Sequence, residues 1–569
     1  MVMQNWRKRK QRSAVARYRR RLTGVEALED RRMLSWQNPV TAADVNNDGL
    51  VSASDALEVI NYLSDVGSGP VQNISNIPPP YYDVNGDEVV SASDALSVIN
   101  YLYDQKLLVS DVLTPFDANE QDLNGPTSWA SQYGKTPEIV VSSNGNVLDV
   151  LAQDYDPETP WKAVLFRVTP TSTGYAVSQI HADLPMLDRI MGLATDEAGN
   201  RYYATGVDEG ELVDPDYPPL DTFRNDIVRV VKLDGNGKIL FNIDLDTARH
   251  QADENALMIV NPMTFASSRL AVGGGEVALL HSTNGDPDPN ISGVRHQMAR
   301  STRLDADSGD VTRTGTIWVS HSLDQRLIHD SEEMIEMHLG DAFPRSIVIS
   351  HDYESEWAGI QSESFPLFQI KGSLGENNTR TRLGDIVPIA DSNYSHMVLF
   401  STESTSRTDA LSGQGGLISG SRNLAIVRFN GDDGGIDPSL PDQLTVTSSG
   451  KIYENRLRWL TTYATDSGLH AERPKMVRVG DDRNIVLWEE WEVADSSETF
   501  RGVYGMVIDD KGEIIESATL ISQDHHLHRG DDAFVLDGQA GWMTGNATDR
   551  TLELHLVDTN LNYAMHILK

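Results

Sequence analysis

Residues 44–63 read DVNNDGLVSASDALEVINYL, and residues 83–102 repeat that stretch as DVNGDEVVSASDALSVINYL. Each copy is a loop of alternating oxygen-bearing side chains that runs straight into an amphipathic helix. In the first, Asp44, Asn46 and Asp48 stand at positions 1, 3 and 5, Leu50 can offer its carbonyl at position 7, Ser52 can hold a water at position 9, and Asp55 closes the loop at position 12. The second copy places Asp83, Asn85, Asp87, Val89, Ser91 and Asp94 in the same register. Hard oxygen donors at this spacing are what a Ca²⁺ loop uses to wrap its cation. One such loop is an ordinary polar turn. Two in register, each followed by SDAL-x-VINYL, are not explained by turn chemistry.

The helices that follow give the loops a reason to need metal. Leu57, Ile60 and Leu63 recur at i, i+3 and i+6, with Ala56, Val59 and Tyr62 alongside, and Leu96, Ile99 and Leu102 repeat the pattern, the expected apolar face. Helices this short are marginal alone in water. A core this small usually needs a staple, and the chain has no cysteine to form one. Cation ligation is then expected to supply much of the folding free energy.

Paired loop-helix repeats with Asp at position 12, and no clear helix before the first loop, resemble a type I dockerin over residues 38–104. The resemblance implies two bound Ca²⁺ ions and a small helical module that docks onto a cohesin-like protein. It also implies that positions 10 and 11, Ala53 with Ser54 and Ala92 with Ser93, meet that partner. One departure stands out. Position 6 is Gly49 in the first loop and Glu88 in the second, where a positive φ is wanted. A side chain there costs roughly 1 kcal/mol, so the second site is expected to be the weaker.

The formal charge of the 569 residues is −37, and it is unevenly placed. Residues 1–35 hold 11 Lys/Arg against 3 Asp/Glu, which leaves 36 against 81 for the remainder. A body that acidic does not present a basic face to nucleic acid, and none is expected as a partner. The basic head precedes GVEALEDRRMLS, which resembles the LE-x-R-x-LLS signature of planctomycete surface and secreted proteins through Leu28, Glu29, Arg31, Met33, Leu34 and Ser35. That resemblance implies an export segment and an extracellular or cell-surface location. No uncharged apolar run reaches 18 residues, so no membrane span is expected.

Residues 67–80 connect the two loop-helix copies, and residues 111–137 read as a Pro/Gly-containing linker. From residue 138 onward, short β-rich runs alternate with tight turns around Gly145, Gly199, Gly237, Gly309, Gly434 and Gly512. Hairpins repeated to residue 569 predict an all-β body, a β-propeller of six to eight blades, with paired β-sandwiches as the alternative. Two stretches, RVVKLDGNGKILF and NLAIVRFNGDDGGIDPSL, weakly resemble bacterial propeller blades. The run SEEMIEMHL at 331–339 is the one helix expected in the body.

Four runs in the body carry chemistry worth locating. WEEWE at 488–492 offers carboxylates between tryptophans, as glycoside hydrolysis would need. On a strand, however, Glu489 and Glu490 point to opposite faces and cannot share one pocket. HHLH at 525–528 has the donors of a transition-metal or general-base cluster, yet reads as loop surface without further spaced ligands. DTARHQADEN at 246–255 and GLHAERPK at 468–475 mix acid, base and His and suit a propeller mouth. No nucleophile elbow, Walker loop or HExxH is present, so no catalytic residue is identified. Two functions stay open: a calcium-dependent docking component whose body binds glycan or protein, and a dockerin-tethered polysaccharide hydrolase or lyase.

Overall fold

The computed structural model describes residues 36–38, 41–47, 51, 53–71 and 78–99, and then 139–154, 162–172, 174–187, 189–206, 228–245, 267–284, 297–320, 324–330, 333–340, 345–355, 359–372, 381–404, 420–431, 433–494, 497–528, 530–546 and 551–568. The chain divides into two compact units between Tyr103 and Asp104. The expected export segment, the linker, and the runs at 246–255 and around His321 lie outside the described residues.

The first unit holds helix α1 (Ala53–Asp65) and helix α2 (residues 92–99), each entered from one of the two loops. Gly69 and Pro70 pair antiparallel with Val90 and Val89, tying the stretch after α1 to the end of the second loop. The core is built from small side chains: Val45, Ala56 and Val59 from the first copy, Val84, Val90, Ala95 and Val98 from the second, with Tyr82 stacked on Tyr62. This narrows the expected apolar face. Leu57 is 54% exposed and Leu96 53%, while Ile60 and Ile99 are 42% and 44% exposed. The Ala/Val stripe lies one position before the larger residues, and small side chains let the helices sit close beneath the loops.

The second unit is a seven-bladed β-propeller, and the all-β expectation holds. Blades are sheets over residues 139–185, 189–245, 268–320, 325–369, 381–459, 469–522 and 534–568, numbered 1 to 7. Six have four antiparallel strands in chain order; blade 5 has five, because Lys451–Trp459 takes the fourth place and Asp442–Ser448 pairs outside it. The first strands of successive blades lie side by side around a closed ring. Apolar layers fill each junction: Leu151 and Leu165 with Tyr203 and Val231 between blades 1 and 2, Tyr202 with Leu279 and Leu304 between 2 and 3, Leu280 with Leu327 and Met334 between 3 and 4, and so on to Leu487 with Trp542 between 6 and 7. Val150 and Phe166 of blade 1 meet Leu536 and Leu554 of blade 7, completing the circle.

Among the described residues, no strand is exchanged to close the ring. Blade 7 is continuous in chain order, and the seam is held by a Gly145–Leu536 bridge and by Asp537 N–H donating to the Gly145 carbonyl at 2.8 Å. The expected helix at 331–339 is instead strand Met334–Leu339, second in blade 4. Both of its faces are buried, so the period-2 alternation of a strand is hidden.

All six turn glycines read from the sequence have positive φ, from +67° at Gly434 to +88° at Gly145. Two of them separate conformation from space. Gly199 (φ +81°) has open space where a Cβ would go, whereas a Cβ on Gly309 (φ +75°) would run into Ile243 of blade 2. Gly309→Ala is expected to lower stability by about 2 kcal/mol, through conformation plus overpacking. Gly199→Asn is expected to cost under ~1 kcal/mol, because Asn tolerates the left-handed region. Equal losses in denaturant melts would sink the distinction.

Candidate functional sites

The two loops are organised by the same hydrogen bonds. Asp55 Oδ1 accepts from Val45 N–H at 2.8 Å and Asn46 N–H at 3.1 Å. Asp94 Oδ1 accepts from Val84 N–H at 2.8 Å and Asn85 N–H at 3.1 Å. Both position-12 carboxylates are fully buried. Asp44 is buried and Asn46 half-buried beside them, while Asp48, Leu50 and Ser52 lie outside the described residues.

The second loop is described throughout. Asp83 accepts from the N–H groups of Asp87 and Glu88, both at 3.1 Å, and Asp87 accepts from Val89 N–H at 2.9 Å. Asn85 Oδ1 takes Asp87 N–H at 3.0 Å, and Ser91 N–H donates to Asp94 Oδ2 at 2.8 Å. Burial, together with the nearby charges of Asp94 and Asp87, raises the Asp83 carboxyl above its usual range despite those donors. Three carboxylates brought together with only neutral donors, all of them hard oxygens, fit a hard divalent cation.

Glu88 has φ +63°, as position 6 demands. Relief of that strain by Glu88→Gly is expected to raise Ca²⁺ affinity at the second loop about fivefold, corresponding to roughly 1 kcal/mol. Calorimetry that finds no gain would refute it. Ser54, Ala92 and Ser93 are exposed; the Ala53 side chain is outside the described set.

In the propeller, three of the four runs converge: WEEWE, HHLH and GLHAERPK. Glu489 of WEEWE is wholly buried and accepts from Arg473 Nη1 at 2.5 Å, Trp491 Nε1 at 2.7 Å and Leu527 N–H at 2.9 Å, with His526 Nδ1 at 3.2 Å. Arg473, from GLHAERPK, reaches it from a left-handed backbone (φ +50°) at a bulge in the first strand of blade 6. Burial pushes the Glu489 carboxyl up, but Arg473 and His526 outweigh it and bring it down to about 2. Glu490 faces the other way, bonded to Tyr463 Oη at 2.7 Å. WEEWE is thus a structural clasp between blade 6 and the approach to blade 7, neither a wet strand face nor a catalytic pair. His526 and His528 are buried as well, which corrects the reading of HHLH as loop surface.

His525 alone of that run is half-exposed, and it lies against Glu553 and His555 of blade 7, whose ligand atoms with its own fall within 4.8 Å of one another. Burial, and then His525, pulls the His555 imidazole down to about 3, so it is neutral.

A second cluster lies around the propeller axis and was missed from sequence. Arg269 (blade 3) holds Asp532 bidentately at 2.7 and 2.6 Å. Arg326 (blade 4) reaches Asp324 at 2.5 Å and both Asp385 of blade 5 and Asp532 at 3.1 Å. Lys475 (blade 6) donates to the Asp531 carbonyl, and the Asp531 carboxylate takes Val141 N–H of blade 1 at 2.9 Å. Burial and the adjacent Asp532 push Asp531 up to about 7, and burial with Asp532 pushes Asp385 to about 6. Asp532 itself is buried too, yet Arg269 and Arg326 hold it below the usual range. Arg269, Asp531 and Asp532 border a cavity of about 300 Å³ that Val141, Ser143 and Phe534 also line. Its members come from blades 3, 4, 5 and 6 and the approach to blade 7, so no single stretch of sequence contains them; Lys475 falls in GLHAERPK. Only DD at 531–532, ahead of the last blade, carries a local signal, and it reads as a turn.

Residues 42–103 match the family described as Dockerin type I domain. No curated protein matches the chain. Among solved structures, the chain is similar to a protein of unknown function from Dyadobacter fermentans DSM 18053 (11% identity, 67% of this chain and 95% of that one, TM-score 0.33). It is also similar to the β-propeller domain of the Trilobed protease from Pyrococcus furiosus (8%, 77% and 96%, TM-score 0.35). A third is a subtype N10 neuraminidase-like protein of A/little yellow-shouldered bat/Guatemala/060/2010 (10%, 68% and 97%, TM-score 0.31). Likeness at this level carries no argument about function.

Proposed function

We propose that the chain is a secreted or cell-surface component that docks through its dockerin module to a cohesin-like protein and presents the propeller to a glycan or protein. The match over residues 42–103 implies cohesin-type docking. One observation carries the rest: the module exposes the same apolar residues twice. Leu57 and Ile60 on α1, and Leu96 and Ile99 on α2, keep nearly equal exposure at equivalent positions, beside exposed Ser54 and Ser93. Apolar side chains left outside a core this small mark a surface for a partner. Two equivalent faces let one partner bind in either of two orientations.

In this reading Asp44, Asn46, Asp48, Leu50, Ser52 and Asp55 hold one Ca²⁺, and Asp83, Asn85, Asp87, Val89, Ser91 and Asp94 a second, weaker one. The ion supplies charge neutralisation for the clustered carboxylates. The residues do the positioning: Asp55 and Asp94 pin the start of each loop to the start of each helix, so that ligation and helix geometry are one event. Residues 36–110 then form the docking module and 138–569 the body. Among the described residues, no helix is long and apolar enough to cross a membrane.

The test is binding of a panel of cohesin-type modules by calorimetry. Changing Ala53 to Arg and Ser54 to Glu should leave binding largely intact, because the second face remains. Adding Ala92→Arg and Ser93→Glu should abolish it while helical circular dichroism with Ca²⁺ is unchanged. Capture that survives both changes would remove docking from these faces.

A second reading, a tethered polysaccharide-acting enzyme, is favoured by the axial carboxyls. Asp531 pushed up and Asp532 held down are the opposite protonation states that acid and base roles require. Reducing ends released from a polysaccharide panel, and lost in Asp531→Asn, would support it. No release from any substrate would leave the binding reading.

A further inference from the structure

We propose that blade 7 carries a transition-metal site of the Zn²⁺ class, formed by His525, Glu553 and His555 and independent of the calcium loops. Glu553 and His555 are two residues apart on strand Thr551–Val557, so both project from one face. His525 comes from the segment that leads from blade 6 into blade 7 and closes over them. Glu553 Oε2 lies 3.8 Å from His525 Nδ1 and 3.8 Å from His555 Nε2. Those separations are too long for hydrogen bonds. They are close to the spacing of ligands shared by one small cation, since bonds of 2.0–2.1 Å in a tetrahedron put donor atoms roughly 3.3 Å apart. All three donor atoms lie within 4.8 Å of one another, so side-chain adjustment alone is needed to bring them to that spacing.

The surroundings support ligation rather than a chance meeting. His555 is held on both sides: its ring stacks on Trp542 at 4.7 Å and 5°, and Nδ1 meets Tyr563 Oη at 2.9 Å. With Nδ1–H given to the Tyr563 oxygen, Nε2 is the nitrogen that carries the lone pair, the arrangement that orients ligating histidines. Thr544, directly across the ladder from Glu553, brings its hydroxyl to 2.8 Å from His555 Nε2 and 3.2 Å from Glu553 Oε2. Without a metal that hydroxyl meets the Nε2 lone pair, and ligation would replace this hydrogen bond. The donor chemistry selects the metal. Two imidazoles and one carboxylate suit Zn²⁺ and its neighbours, whereas Ca²⁺ takes a larger set of oxygens. Access is through His525, 30% exposed, while His555 is fully buried and Glu553 nearly so.

The full-length protein, with its loops saturated by Ca²⁺, is titrated with Co²⁺ as a spectroscopic probe and then with Zn²⁺. One equivalent of Co²⁺ should give the intense visible bands of four-coordinate cobalt, and one equivalent of Zn²⁺ should abolish them. His525→Ala, at a partly exposed position, should weaken binding at least tenfold with the metal-free melting temperature unchanged; Glu553→Gln should do the same. His329→Ala, on blade 4, should leave binding as it is. Absence of the bands, six-coordinate spectra, or affinity retained in both His525→Ala and Glu553→Gln would overturn the site.

Discussion

Chelation of Ca²⁺ from a fragment of residues 36–110 is expected to abolish most of its helical circular dichroism, and added Ca²⁺ to restore it. The buried side chains of this unit are almost all Ala and Val, so the apolar surface removed from water is small. Against that stands the cost of gathering Asp83, Asp87 and Asp94 in one loop, visible in the raised Asp83 carboxyl. A cation held at a thousand times its dissociation constant adds about 4 kcal/mol per site, enough to decide whether a unit this size folds. Mg²⁺ should restore little, because it sheds water reluctantly and tolerates a large flexible loop poorly. Helicity unchanged in chelator would show that the Ala/Val core suffices.

Glu489→Gln is expected to cost the propeller about 3–5 kcal/mol, the range for removing one partner of a buried ion pair. Arg473 is nearly inaccessible, 8% exposed, and in the variant loses the charge it was placed to meet. The same pair sets an acid dependence with a definite sign. The folded carboxyl is depressed to about 2 while the unfolded one titrates near ~4.3, so its stabilisation is complete above the unfolded value. It is lost as pH falls through the folded one, an effect of about 3 kcal/mol for this group. Melts between pH 5 and 2 should therefore show a shallower acid slope in Glu489→Gln than in the parent. Parallel slopes would mean that Glu489 does not carry this term.

The local parts of the fold were legible because their causes are local. A turn that needs positive φ asks for glycine, and Gly145, Gly199, Gly237, Gly309, Gly434 and Gly512 mark hairpins in blades 1, 2, 2, 3, 5 and 6. Blades 4 and 7 carry none of these glycines, and in blade 4 a strand was read as a helix. Its first two strands are joined through residues 330–333 without a glycine, and Met334–Leu339 buries Glu336 by pairing it with Arg303 of blade 3. A charge buried by a partner from another blade makes a strand look like one turn of an amphipathic helix. The paired loop-helix repeats of the dockerin match were legible because each loop's oxygen-bearing residues fall within twelve positions. Two further readings failed for reasons of size and distance. The larger and smaller apolar residues of each helix were read as one face, when the smaller ones fill the core. The axial cluster is assembled by the circle of blades, and the His525–Glu553–His555 group by the packing of the segment before blade 7 on that blade's third strand; no local window contains either.

The seam of the propeller has a consequence for how such a body can change over generations. Each blade is a contiguous run of chain, blade 7 included, and the ring is closed by backbone hydrogen bonds at Gly145 and side-to-side packing. Where a terminal strand completes a distant blade, gene segments at both ends must be inherited together. Here they need not be. Duplication or loss of one whole blade leaves every strand with its original neighbour within its sheet. Only the angle between blades and the width of the axial cavity have to readjust. What such an event would put at risk is the charge network of Arg269, Arg326, Asp385, Lys475 and Asp532, which takes its members from blades 3, 4, 5 and 6 and the approach to blade 7. The blade is the heritable unit of this ring, and the axial network is the constraint that fixes their number.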